Sequence, residues 1–297
     1  MRFTDIGQQL RAYRLESGLR AEEIAARLGV SRAALYRYEK GEVIKLDTIQ
    51  RLAELLNISP LSLLGIGVEY YNRPVGYMER IRQIEETADQ ILQVDGIMCE
   101  LTTTEAYDTA LSAALAEAAE HAGGDRAVIR GASEQILGIL DARKRIYNIR
   151  KPAIINMIPV ARMRHFLERG IAPIIAPKIA QSDRMRRLCR QAAAAELLHV
   201  AEVMEAEPMG LQFGLLPAAE PSSSFKILRS RDRATIAVNP FRADASPSSA
   251  VGVAMITGAD EAIAAHQRVA ESLWRDAVKG PTAAAAVREL VKAARAD

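Results

Sequence analysis

Apolar residues recur three and four apart through the first part of the chain, the spacing of one helix face. Residues 6–18 (IGQQLRAYRLESG) read as an amphipathic helix ending at Gly18. Residues 21–28 (AEEIAARL) read as a second, with Ile24, Ala25 and Leu28 on one side and Gly29 suited to the turn that follows. Ser31 has the chemistry of an N-cap for a third helix, from about Arg32 to Lys40, with Gly41 suited to its end. Its inward side is Ala34, Leu35 and Tyr38. Its outward side is Arg32, Ala33, Tyr36, Arg37 and Lys40. A helix over 46–64 places Leu46, Ile49, Leu52, Ala53 and Leu56 on one stripe before a short terminal turn. Five short helices in residues 1–66 predict a small all-α unit.

The pattern then changes. Residues 65–76 (GIGVEYYNRPVG) carry three glycines and a proline and read as a hinge or extended linker. Residues 77–94 read as a helix with Met78, Ile81, Ile84, Ala88, Ile91 and Leu92 on a stripe. That stripe suits either a coiled-coil seam between two copies or a face packed on its own domain. From about residue 95 strands alternate with helices. Helices are expected over 104–124, 132–151, 160–170, 183–206, 259–280 and 281–296, and strands over 126–131, 152–159, 171–176, 210–216, 225–230, 234–239 and 251–256. PAIINMIP (152–159) is apolar enough for a strand buried on both faces. The Ser/Pro-rich stretches 221–225 and 243–250 read as loops, the second either a lid or a surface connection. The fold class is multidomain, α plus α/β. Its expected parts are a helical domain at 1–66, a linker and dimerisation helix at 67–95, and an α/β domain at 96–297.

Residues 20–41 (RAEEIAARLGVSRAALYRYEKG) place two short helices around a turn, and many positions agree with one family at fixed spacing. These are Gly18-Leu19, Glu22-Glu23, Ala25, Leu28-Gly29-Val30-Ser31, Glu39 and Gly41, then Leu52-Ala53 and Leu56. On them, residues 6–64 resemble the DNA-binding domain of the XRE type, shared with the phage Cro and repressor proteins. The resemblance implies a five-helix, lambda-repressor-like helix-turn-helix fold. It implies double-stranded operator DNA as partner, with the second motif helix in the major groove. Arginine can bond guanine O6 and N7 bidentately there, and small residues allow approach to the thymine methyl. The DNA-facing residues are then Arg20, Ser31, Arg32, Ala33, Tyr36, Arg37, Lys40 and Lys45, with Lys40 and Lys45 at phosphates rather than bases. Where the family often has Thr or Ser followed by Gln, this chain has Arg20 and Ala21, so Arg20 would supply a phosphate contact in place of the Gln. The resemblance also gives Glu39 a structural role, an ion pair with Arg14 of the first helix.

Charge changes this picture in one respect. The 297-residue chain has a net charge of +2, so nothing commits it in bulk to polyanions. Residues 1–64 hold ten Lys/Arg against eight Asp/Glu. A module with few phosphate contacts binds weakly, so DNA binding would rest on placement of charge and on two copies, a homodimer (or a dimer of dimers) on a roughly palindromic operator.

Other chemistry is sparse. Cys99 and Cys189 have no CxxC or Cys/His spacing, so no metal site is expected, and the two read as reduced thiols or, alternatively, as a redox switch. No cofactor motif occurs: no Walker A, no GxGxxG after a strand, no GxSxG and no HExxH. There is no signal pattern and no run of 18 apolar residues, so a cytoplasmic protein without a membrane partner is expected. Residues 251–277, a strand, a turn and a helix with Trp274, resemble the end of the effector domain of the archaeal sugar-sensing TrmB regulators, which has a phospholipase-D-like fold. A phospholipase-D catalyst needs HxK motifs, and none of His121, His165, His199 and His266 has a lysine two residues on. A sensor or dimerisation domain rather than an enzyme is therefore implied.

Three basic clusters, 142–151, 184–190 and 226–233, read as solvated faces, as further phosphate contacts, or as a site for an anionic metabolite. In the last case Arg143, Arg145, Arg150 and Arg187 are the candidate ligand-binding residues. The reading is a homodimeric, sequence-specific transcriptional regulator whose effector acts through residues 65–94. Two other classes stay open: an enzyme with an unrecognised α/β catalytic domain recruited to DNA, and a protein-binding scaffold or antitoxin-type module.

Overall fold

The computed structural model describes residues 3–97, 99–171, 181–218, 221–241 and 252–296. It opens with five helices: α1 (Phe3–Ser17), α2 (Ala21–Leu28), α3 (Arg32–Glu39), α4 (Leu46–Leu56) and α5 (Pro60–Leu63). Leu10 and Tyr13 of α1 share a core with Ile24, Leu28, Leu35, Ile49 and Leu52. Leu46 does not follow the expected stripe. It is the first residue of α4 and 76% exposed, while Ile44, two residues earlier, is buried.

The segment 67–95, expected as a linker and dimerisation helix, holds three packed elements. These are β1 (Val68–Tyr71), α6 (Pro74–Glu85) and β2 (Gln90–Val94). The helical stripe ends at Ile84, and the apolar residues beyond it belong to a strand. Ile91 joins the core on one face of the sheet and Leu92 and Val94 the core on the other, as an interior strand requires. Then come α7 (Glu105–Glu120) and α8 (Arg126–Arg150). The strand expected at 126–131 is instead the start of α8. The helical register continues from Ser133, whose hydroxyl donates to the Ile129 carbonyl, through buried Ile136, Ile139 and Arg143. The chain goes on through β3 (Ala153–Pro159), α9 (Val160–Arg169), α10 (Asp183–Ala206), β4 (Leu211–Leu216), β5 (Ser224–Arg229), β6 (Ala234–Asn239), β7 (Ala254–Thr257), α11 (Asp260–Asp276) and α12 (Gly280–Ala296). The strand expected at 171–176 lies, beyond Ile171, outside the described residues, as does the loop at 243–250.

The strands form one seven-stranded mixed sheet in the order β1-β7-β6-β5-β2-β3-β4. The β2–β3 and β3–β4 pairs are parallel and the others antiparallel. One face packs Met157, Phe225, Ile227 and Ile236 against Ala270, Leu273 and Trp274 of α11. The opposite face, with Ile91, Ile154, Phe213 and Leu228, shares a continuous core with the remaining helices, and that core runs on into the N-terminal helices.

The junction between the N-terminal helices and the sheet is built by α1, β1 and α6. Tyr13 stacks on Tyr71 with ring centroids 5.3 Å apart. The buried Glu69 carboxylate accepts from Gln9 of α1 at 2.7 Å, from the Tyr71 hydroxyl at 2.8 Å, and from Arg80 of α6 at 2.8 and 3.0 Å. Glu16 accepts the backbone N–H groups of Asn72 at 2.7 Å and Arg73 at 3.0 Å, just before α6. Arg11 pairs with Glu79 at 2.7 Å, and Gln83 donates to the Gln8 carbonyl at 3.0 Å. Two glycines permit these close approaches. A Cβ at Gly76 would lie 2.9 Å from the Glu16 backbone, and one at Gly7 would lie 2.5 Å from the Tyr38 carbonyl oxygen. The expected hinge is therefore a hydrogen-bonded, packed joint.

Candidate nucleic-acid interface

The orientation of α3 follows from its two ends and its buried side. Gly29 closes α2 at a φ of 72°, a left-handed conformation that costs glycine little. The Ser31 hydroxyl then accepts the Ala34 N–H at 3.1 Å and starts α3. Ala34, Leu35 and Glu39 are buried, which turns Arg32, Ala33, Arg37 and Lys40 to solvent. Tyr36 and Tyr38 are both half-buried. Arg14 Nε donates to Glu39 Oε1 at 2.5 Å and its Nη2 to Oε2 at 3.1 Å, so the two residues paired by the family resemblance are in bidentate contact. This contact pins the back of α3 to α1.

Two arginines lie close to the Tyr36 ring. The Arg32 guanidinium is 5.3 Å and that of Arg14 5.9 Å from its ring centre. Arg32 also donates to the Tyr36 hydroxyl at 3.3 Å and pairs with Glu22 of α2 at 2.7 Å, and these partners hold its charge more firmly. Arg37 pairs with Glu42 at 2.7 Å. All four side chains of these pairs are about half exposed. Such surface pairs contribute only ~0–1 kcal/mol, so a phosphate or base edge can take either arginine from its carboxylate. Arg20, at the start of α2, and Lys45, at the start of α4, are exposed, and neither side chain caps its own helix. Ser31 is exposed but its hydroxyl is committed to the cap.

The four arginines considered for an anionic ligand do not converge. Arg143 is buried and bound bidentately by Glu85 at 2.7 and 2.8 Å, with Glu100 at 3.4 Å. Arg145 is exposed and pairs with Asp141 on its own helix. Arg150 reaches Asp89 at 3.1 Å, and Arg187 lies exposed on α10. The spacing of basic residues along a helix gave no warning that the one pointing inward was already matched by carboxylates from other elements. Among the described residues, no three His, Cys, Asp or Glu are grouped to hold a metal ion, and no helix is long and apolar enough to cross a membrane.

A helix-turn-helix family model matches residues 10–63. A protein of Pyrococcus horikoshii (strain OT-3) described as “Putative HTH-type transcriptional regulatory protein” is 42% identical over 62 residues, which is 20% of this chain and 20% of that one. The match thus spans about a fifth of the relative's length. No solved structure is significantly similar to the chain. These matches fall on the capped turn, the buried Ala34, Leu35 and Glu39 and the outward arginines just described. Residues 10–63 are a helix-turn-helix domain of the XRE type, carried on an α/β body with a seven-stranded mixed sheet.

Proposed function

We propose that the chain is a sequence-specific, DNA-binding transcriptional regulator that acts as a homodimer. Each copy lays α3 in a major groove, with Arg32 and Arg37 at base edges, Ala33 against the groove floor, and Lys40, Lys45 and Arg20 at phosphates. One observation carries the reading. The outward face of α3 is left unpacked while its inward face is locked by the Ser31 cap, by Leu35 and by the Arg14–Glu39 pair. A reading helix needs that combination, because bidentate base contacts tolerate little rotation about the helix axis. The description of the Pyrococcus horikoshii protein supports the same role.

Two copies follow from energetics. The helical unit has a small surplus of positive charge, and part of its reading face is matched by Glu22 and Glu42. Doubling the phosphate contacts multiplies the two affinities, which a single module lacks. The α/β body would supply the pairing surface and the response to an effector. Because α1, β1 and α6 join it tightly to the helix-turn-helix, an effector acts by shifting α6 against α1 or by changing the spacing of the two copies, and not through a loose linker.

Selection of duplexes from a randomised pool by the full-length protein tests this reading. The expected result is an enriched inverted repeat with half-sites about 10 base pairs apart, or a multiple of that. Retention of the pool without enrichment of any motif contradicts it.

A further inference from the structure

Behind α6 lies a partly enclosed cavity of about 80 Å³, bounded by α6, α7, α8 and the strands β5 and β6. Leu111, Leu115, Ile136, Leu140 and Phe241 make most of its wall. One end carries charges, and each is already matched. Lys226 donates to Glu100 at 2.8 Å, Arg143 is held by Glu85, and Lys144 bonds Asp108 and, at 3.0 Å, the Thr103 carbonyl. An anionic ligand would have to displace a carboxylate, and a cationic one would meet three cations. One buried group left without a partner is the Tyr77 hydroxyl. Tyr77 is 3% exposed, packs edge-on to Phe241 with ring centroids 6.0 Å apart, lines the cavity, and has no hydrogen-bond partner among the described residues. Burial raises its pKa well above the usual value, so it remains a neutral phenol, able to donate and accept. A buried polar group without a partner is uncommon, and because this hydroxyl is closed off, a ligand in the cavity completes its bonding only by moving Tyr77 or the wall beside it.

We propose that this cavity is the effector pocket, and that it takes a small uncharged molecule with an apolar body and one hydroxyl or carbonyl group, bonded to Tyr77. Its size suits about five to eight non-hydrogen atoms, by the room one water needs. This replaces the anionic metabolite suggested by the basic clusters. The coupling part rests on the regulator reading. α6 presents Tyr77, Met78 and Ile81 to the cavity, while its Glu79 and Gln83 hold Arg11 and Gln8 of α1. A ligand that presses on α6 therefore presses on the helix that supports α3.

The test uses the full chain with phenol, benzene and benzoate as probes, in calorimetry and thermal melts. Phenol is expected to bind and to raise Tm, with benzene weaker and benzoate weakest. In Tyr77→Phe the preference for phenol over benzene should fall about fivefold, as loss of one hydrogen bond implies. Leu140→Trp, which fills the cavity, should abolish binding of all three. Ile136→Phe is a second filling variant should the first fail to fold. On a selected DNA duplex, saturating phenol should change the affinity of the wild type at least about fivefold, the lower end of allosteric coupling, and leave the filled variant unchanged. Absence of phenol binding, an unaltered preference in Tyr77→Phe, or benzoate binding more tightly than phenol overturns the pocket assignment. Phenol binding with unchanged DNA affinity overturns the coupling. If the protein binds no DNA, the regulator reading fails, while calorimetry still decides the pocket.

Discussion

Arg14 and Glu39 hold the most consequential contact of the helical unit, because it fixes which side of α3 faces out. The Glu39 side chain is 3% exposed and that of Arg14 13%. Removing one partner leaves the other charge poorly solvated, so Glu39→Ala should cost about 3 kcal/mol, at the lower end for a buried pair. Urea unfolding of the full chain measures it, and a loss below ~1 kcal/mol would mean that packing alone holds α3. Partial burial alone would raise the pKa of Glu100, whose side chain is 33% exposed, but Lys226 and Arg143 hold it down, from 4.5 to about 2. A depressed carboxylate adds stability that is full above the unfolded value and is lost as pH falls through the folded one. Wild-type stability should therefore decline between pH 4.5 and 2. Glu100→Gln should be less stable at neutral pH, because Lys226 loses its partner, yet decline less over that window. Urea midpoints across pH check both. Both glutamates stand in the sequence as plain charges. Glu39 was readable because the family pattern placed it, whereas Glu100, Lys226 and Arg143 come from a turn, a strand and a helix far apart in the chain.

At the scale of elements, the helices of residues 1–64 were legible because each carries its own stripe and its own stop signals. Gly29, Ser31 and Gly41 mark the ends where the structure places them or within a residue of them. The failures share a cause. In β2, Ile91 and Leu92 continue a near-helical spacing, and nothing local reports that this strand lies inside a sheet with both faces covered. At the start of α8 the β-branched pair Val128-Ile129 favours a strand, and the helix running through it overrides that preference. β1, in a stretch with three glycines and a proline, is fixed by its register with β7, nearly 190 residues later, a pairing invisible to any local window. Gly7 and Gly76 were likewise silent, since a glycine's use in a close approach exists only once two elements meet. Gly76→Ala should destabilise the chain, because overpacking at ~1–3 kcal/mol outweighs the helix-propensity gain of ~1 kcal/mol. Gly138→Ala, at a position in α8 with nothing within 4 Å, should instead stabilise it by the propensity gain alone. Thermal melts of the two variants compare the same substitution in packed and open settings, and a rise in Tm for Gly76→Ala would contradict the close α1–α6 contact.

For the whole molecule, the shared core and the α1–β1–α6 joint make the helix-turn-helix an extension of the α/β body. The effector question thereby becomes mechanical, with α6 as the wall common to a cavity and to α1. Any such coupling presupposes that the outward face of α3 reads DNA sequence. Fluorescence anisotropy with a selected duplex and a scrambled one, at one fixed salt concentration, tests it with wild type and the Arg32→Ala/Arg37→Ala double variant. Each bidentate arginine–guanine contact discriminates by about 1–3 kcal/mol, so the variant should lose at least tenfold in affinity for the selected duplex. Its affinity for the scrambled duplex should change much less. A preference for the selected duplex that falls at least tenfold in the variant, with its fold intact by circular dichroism, is the expected result. A variant that still prefers the selected duplex as strongly as the wild type would contradict it.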